Sequence, residues 1–291
     1  MYDIDPIIMK NTKVVYNYYN NQGWALNSKT GLTLDEEINV NNDKSCKLYN
    51  TKTRNRVLNQ LNKLKGSKNK LPDVASGPLH IQEFLHYSKS FVERHCVDFS
   101  KIALKDAKHN LAKFGQKKSF FHNIDFLKSK FKANSFDAAI SLHTLYHVDI
   151  NDQKNFVKKL IKYVIPSGLV IIVYSNPFSL QSALTAPIFL WNFFKSFTKE
   201  ILIKLSFYKY KKNELYFKRK SIFWWNCFKT LGEVKIIPER TFNASFEKKI
   251  IPNNNFGKRL YKLLFSLENY SFWRFFSTYY IVIIKKKELL K

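Results

Sequence analysis

An α/β fold built on a mostly parallel sheet is the architecture that this 291-residue sequence predicts. Three observations point to it. From Lys70 onward, short apolar runs alternate with helical stretches, the pattern of strand–helix–strand crossovers. The first apolar run ends in a turn of small residues, Ala75-Ser76-Gly77, and the second ends in an acid, Asp98. The predicted strands are Leu71–Val74, His95–Asp98, Ser119–Asn123, Phe136–Ser141 and Leu169–Tyr174, with two later ones at Glu233–Ile237 and Tyr279–Ile284. Helices are predicted over Lys101–Lys113 and Gln153–Tyr163. An earlier helix, about Ser45 to Leu64, places Val57, Leu58, Leu61 and Leu64 on one face before Gly66-Ser67 ends it. Pro166-Ser167-Gly168 predicts the turn into the fifth strand.

Composition sets wider bounds. The hydrophobic share of 45% supports a sizeable core, and the length suits one elaborated α/β domain or two small ones. The formal charge of +27 is the footprint of a phosphate-binding or anionic-lipid-binding surface, or else the product of an AT-rich coding bias towards Lys, Asn, Ile, Phe and Tyr. Cys46, Cys96 and Cys227 form no CxxC pair, which implies a reducing, cytoplasmic setting and no zinc site. Met1 to Asp5 lacks the basic and apolar regions of a secretory signal. Of the uncharged stretch from Tyr163 to Phe194, only residues 178–194 approach a membrane-spanning segment, and they are short for one.

The candidate chemistry begins with Asp73-Val74-Ala75-Ser76-Gly77-Pro78, where small residues admit a ligand close to the backbone; taken alone, packing at a strand-to-helix turn is the plainer explanation. Asp98 lies 25 residues after Asp73 and ends the next strand, where a carboxylate accepts from both hydroxyls of a ribose. Ser100 is placed to cap the helix starting at Lys101. The run from Asp73 through Asp98, then Asn123-Ile124-Asp125, Asn134 through His143 and Ile165-Pro166-Ser167-Gly168-Leu169 resembles the successive motifs of class I S-adenosylmethionine-dependent methyltransferases.

The resemblance covers about a third of the chain and implies a Rossmann-like, doubly wound sheet of seven strands, mostly parallel with the last antiparallel, and an inserted helical cap. By the same resemblance Asp73, Ala75, Ser76 and Gly77 lie along the methionine part of S-adenosylmethionine. Asp98 binds its ribose, Phe99 and Ile124 flank the adenine, Asp125 accepts from the adenine amine, and Ser141 and His143 lie near the sulfonium. Ala75 stands where the family's turn has a glycine and Leu79 where another is common; Ala75 fits with a negative φ, and Pro78 fits the first turn of a helix.

His143 and His147 are four residues apart, one helical turn, so both can face the cleft. They read as general bases for a hydroxyl acceptor, or as pocket and structural groups without proton transfer; a metal pair lacks a third ligand. At the N-terminus, Tyr18, Tyr19 and Trp24 are candidates for a lid, and Arg54 or Arg56 for the cofactor's carboxylate. The expected organisation is an N-terminal helical or lid segment (1–66), a cofactor-binding core (67–177), a helical cap with the substrate region (178–232) and C-terminal strands completing the sheet (233–291). In the cap, Trp191, Tyr216, Trp224 and Trp225 are candidates for an apolar acceptor pocket and Lys204, Lys209, Lys211 and Lys212 for a phosphate or lipid headgroup; aromatics among lysines also suit RNA, and a helical cover with a snorkelling basic face is the plainest reading. The expected activity is methyl transfer to a small-molecule or lipid-linked acceptor, in a cytoplasmic protein with a peripheral membrane contact as the further option. RNA methylation and non-catalytic nucleotide binding are the rivals, with nucleic acid ranked behind; no Asn/Asp-Pro-Pro-aromatic tetrad follows the fourth strand.

Overall fold

The computed structural model describes residues 10–24, 44–66, 68–116, 118–186 and 215–288. Its centre is a seven-stranded sheet of order β3-β2-β1-β4-β5-β7-β6. The strands are β1 (Lys70–Val74), β2 (Glu93–Asp98), β3 (Lys118–Asn123), β4 (Phe136–Leu142), β5 (Val164–Ser175), β6 (Gly232–Arg240) and β7 (Tyr279–Lys286). Every strand predicted from the apolar runs is present. β7 runs antiparallel to both neighbours, with Leu169 opposite Lys285 and Val234 opposite Ile284.

The chain steps outward from β1 to β3 and then returns to β4 on the other side of β1. At such a switch point the crossover helices diverge, leaving a crevice at the carboxyl ends of β1 and β4. β4 reads as a near-continuous apolar run, and β1 is buried from Leu71 to Val74, because the sheet is covered on both faces. On one face Val57 and Leu61, from the helix Lys44–Asn62, pack on Leu71, Ile140, Ile171 and Ile281. On the other, Phe156 and Leu160, from the helix Gln153–Tyr163, pack on Ala139, Val170 and Ile172. The helix Lys101–Phe114 starts at the predicted cap: Ser100 Oγ accepts from Ala103 N at 3.3 Å.

Three expectations change here. Pro166-Ser167-Gly168 does not precede β5 but forms a bulge within it: Phe136 pairs with Val164, the register then shifts, and Ala138 pairs with Leu169, with Ser167 at φ +61°. Pro78 is not in the first turn of a helix, because the next helix begins only at Gln82. In the cap, the described parts are a helical stretch at 180–186, extended residues at 215–221 and the 3-10 helix Ile222–Phe228. Trp225 is fully buried beneath the sheet beside Tyr174 and Phe228, its Nε1 donating to Tyr280 Oη at 2.9 Å. Trp224 packs against the same cluster, so these indoles build core rather than an acceptor pocket. Trp191, Lys204, Lys209, Lys211 and Lys212 lie outside the described residues.

Candidate active site

The crevice at the switch point holds a cavity of ≈ 480 Å³. Asp73 lies on its floor, buried and ion-paired to the fully buried Arg94. Burial raises the Asp73 carboxyl while Arg94 draws it down. The following turn is held by Ala75 N donating to Val97 O at 2.7 Å. Ala75 sits at φ +55° and Leu79 likewise, so the expected negative φ is overturned: these side chains occupy the left-handed conformations that glycine adopts without cost. Gly77 sits at φ +61°, and an added Cβ would lie 3.3 Å from the Trp24 ring, close enough that the indole would have to shift.

Gly77 N donates to Asp98 Oδ2 at 3.0 Å, and Ser100 N donates to Oδ1 at 2.8 Å. These two amides aim the carboxylate, yet burial outweighs them and pushes its pKa up to about 6. Asp98 and Phe99 also line a smaller apolar slot of ≈ 60 Å³ with Ile124, Asp125 and Phe126. Asp125 Oδ1 accepts from Leu127 N at 2.9 Å, capping a 3-10 turn. Ser141 is completely buried in β4, its Oγ without a hydrogen-bond partner, and it lines neither cavity.

His143 and His147 both line the larger cavity, but not as neighbours on an α-helix. His143 follows β4 at φ +55°, and His147 closes the 3-10 helix Leu145–His147. A carbonyl only accepts, so the 2.8 Å contact of His147 Nδ1 with Tyr216 O places the proton on Nδ1 and leaves Nε2 as an acceptor. Tyr216 therefore serves the site through its backbone, while its hydroxyl accepts from Ile150 N at 3.0 Å. Desolvation, aided by Arg240 and Arg54, pushes His143 down to about 3; desolvation pushes His147 to about 4. Both imidazoles are thus neutral at physiological pH, suited to accepting hydrogen bonds but weak as proton stores.

The N-terminal aromatics reach the site. Tyr18, Tyr19 and Trp24 line the cavity, with Tyr19 stacked on Trp24 at 5.0 Å between centroids. Of the two candidate arginines, Arg54 lines the cavity, 3.6 Å from Glu83. Arg56 turns away, to Glu268 at 3.2 Å and to the carbonyls of Pro238 and Glu239. Glu239, Arg240 and Tyr279 were not anticipated as site residues. Their signal was available: Glu239-Arg240 follows the apolar run of β6, at the carboxyl end where such sheets bind ligands. Among the described residues, no group of three or more His, Cys, Asp and Glu is placed to hold a metal ion.

Comparison with known proteins agrees with this geometry. The family described as "Methyltransferase domain" matches residues 73–172. No significant match is found among curated proteins. The fold is similar to the N-methyltransferase NodS from Bradyrhizobium japonicum WM9, with a TM-score of 0.50 and 10% identity over 83% of this chain and 98% of that one. It is also similar to the putative methyltransferase complexed with the Haloferax volcanii Trm112 activator (TM-score 0.48, 12% identity, 86% and 100% coverage). A third likeness is the magnesium protoporphyrin IX methyltransferase ChlM from Synechocystis PCC 6803 (TM-score 0.43, 14% identity, 59% and 79% coverage). Residues 73–172 match the methyltransferase-domain family and are carried on a Rossmann-like, mostly parallel seven-stranded sheet.

Proposed function

We propose that the chain methylates a small-molecule or lipid-linked acceptor held at the β4–β7 end of the larger cavity, with S-adenosylmethionine at the β1–β2 end. The observation that carries this reading is the Asp98 carboxylate, buried, aimed by two backbone amides and placed where the two cavities meet. Its remaining lone pairs suit two ribose hydroxyls. The slot lined by Phe99, Ile124 and Phe126 suits a flat base with Asp125 at its edge. Gly77 leaves room for close backbone approach.

When bound, the cofactor supplies a methyl group made electrophilic by its sulfonium. The protein's share is then positioning. Tyr18, Tyr19 and Trp24 wall one side against water, and His147 presents a fixed acceptor nitrogen. Ala75, Ser76 and Asp73 shape the methionine end, with Arg94 holding Asp73 in place.

Support for a lipid-linked acceptor comes from the surface. Phe178, Phe223 and Phe272 are 77%, 69% and 52% exposed, and Phe276 is exposed as well. Phe223 meets Phe275, over which Arg274 lies at 4.7 Å. Asn176 ties the strip together by donating to Phe275 O and Ser277 O. It accepts through its carbonyl from Arg219, which packs on the cavity-lining Phe217. Exposed aromatics interleaved with arginine suit an amphiphile or a membrane surface. No helix among the described residues is long and apolar enough to cross a membrane.

Incubation with methyl-labelled cofactor and fractionated cell extract tests this reading. Label is expected in the soluble small-molecule or lipid fraction. Label in RNA would move the acceptor to nucleic acid, and no label anywhere would favour a binding protein.

Cofactor affinity should also follow the ionisation of Asp98. The carboxylate must be charged to accept from both hydroxyls, so S-adenosylhomocysteine binding should be constant above about pH 6.5 and weaken as pH falls through about 6. The limit is about tenfold per pH unit for a single proton. Calorimetry between about pH 5 and pH 8 checks this, and a flat profile would remove Asp98 from the ribose contact.

A further inference from the structure

The acceptor end of the larger cavity has a charge count that does not close. Arg54, Glu239 and Arg240 in its wall and Arg56, Glu83, Glu247 and Glu268 behind it make four acids against three bases. Arg54 pairs with Glu83 at 3.6 Å and Arg56 with Glu268 at 3.2 Å. Arg240 has Glu247 as its leading electrostatic partner, and its Nη1 donates to Asn50 Oδ1 at 3.0 Å. Glu239 lies in the field of all three arginines, yet among the described residues its carboxylate is within ion-pair distance of none of them. Arg56 donates to its backbone carbonyl rather than its carboxylate, and Oε1 lies 3.8 Å from Nε2 of the neutral His143.

The Glu239 side chain is 3% exposed, lines the cavity, and its Oε2 accepts no hydrogen bond. Glu247 Oε1 and Glu268 Oε2 are also buried without a donor, but of the three only Glu239 lines the cavity, where a ligand can complete a carboxylate oxygen that is costly to leave unpaired. Beside it stands the Tyr279 ring, 4.8 Å from His143 and 5.6 Å from the Arg240 guanidinium. Resting on the reading that this end of the cavity holds the acceptor, we propose that Glu239 is an anionic subsite for an amine, whose ammonium donates to Oε2 and closes the charge count. Glu239 is thereby a specificity-determining residue for the acceptor.

Titration calorimetry in three steps tests this, at about pH 8 so that the Glu247 carboxyl, pushed by burial up to about 7, is ionised. S-adenosylhomocysteine is titrated first. The saturated protein is then titrated with benzylamine, benzyl alcohol and benzoate, and finally with dodecylamine. Benzylamine is expected to bind, with the alcohol and acid at least about tenfold weaker. Glu239→Gln, a near-isosteric change, should weaken benzylamine by about ten- to a hundredfold, the worth of one charged hydrogen bond, and keep S-adenosylhomocysteine within about twofold. A tenfold advantage for dodecylamine would mark the amine as lipid-linked, and parity would mark it as soluble.

Equal binding of the three benzyl compounds, or no effect of Glu239→Gln on benzylamine, would overturn the proposal. So would a tenfold loss of S-adenosylhomocysteine affinity in the variant, which would give Glu239 to the cofactor's own ammonium. If the wild-type protein bound no S-adenosylhomocysteine, the methyltransferase reading itself would fall. Binding without amine selectivity would remove this inference alone.

Discussion

Asp98→Asn is expected to raise the dissociation constant for S-adenosylhomocysteine by about 10²–10⁴. Each ribose hydroxyl donating to a carboxylate contributes about 1.5–3 kcal/mol, and two such bonds give about 3–6 kcal/mol. The folded state should lose no more than about 1–3 kcal/mol. The substitution leaves one of the two amides, Gly77 N or Ser100 N, facing an NH₂ group, but it also removes the desolvation that pushes Asp98 up to about 6. Calorimetric binding together with a thermal melt separates the two effects. Affinity within about threefold of wild type would end the ribose assignment, whatever happened to stability.

Trp225→Ala should do the reverse. The indole is fully buried among Tyr174, Phe228 and Tyr280, and its loss leaves both a cavity and an unpaired Tyr280 hydroxyl. Large-to-small changes of this kind cost about 3–5 kcal/mol. For a chain of this length that corresponds to a melting temperature lower by about 6–20 °C. S-adenosylhomocysteine affinity, measured well below the melt, should stay within about threefold. If Trp225 lined an acceptor pocket instead, its removal would change acceptor binding and leave the melt nearly unmoved.

The two variants illustrate which parts of this protein are legible in its sequence. Ser100 caps the helix expected of it, because a cap is a contact between residues three apart and needs only local geometry. β4 was legible because a strand covered on both faces must be apolar along its length. The place of Asp98 was legible because the end of an apolar run marks the end of a strand, and in a parallel sheet that end faces the crevice. Ala75 misled because its φ is set from outside: Val97 O draws its amide across to β2, a contact that local residue preferences do not encode. Trp225 misled because aromatic residues near lysines look alike whether they line a pocket or fill a core; the difference is which face of the chain meets Tyr280. His143 and His147 misled in form, since a spacing of four fits a helical turn equally well when a strand end and a 3-10 turn supply it.

By itself, then, the sequence determined the seven strands, the crossover pattern and the place of Asp98 at a strand end, and by resemblance the methyltransferase domain at residues 73–172. The first three follow from periodicity and from turn residues acting where the backbone places them. The tertiary structure alone decided which buried charges find partners: Arg94 takes Asp73, Arg56 takes Glu268, and Glu239 is left facing the cavity. Pairing between groups up to about two hundred residues apart depends on distances of a few ångströms, and the Coulomb and desolvation terms that set its energy vary steeply on that scale.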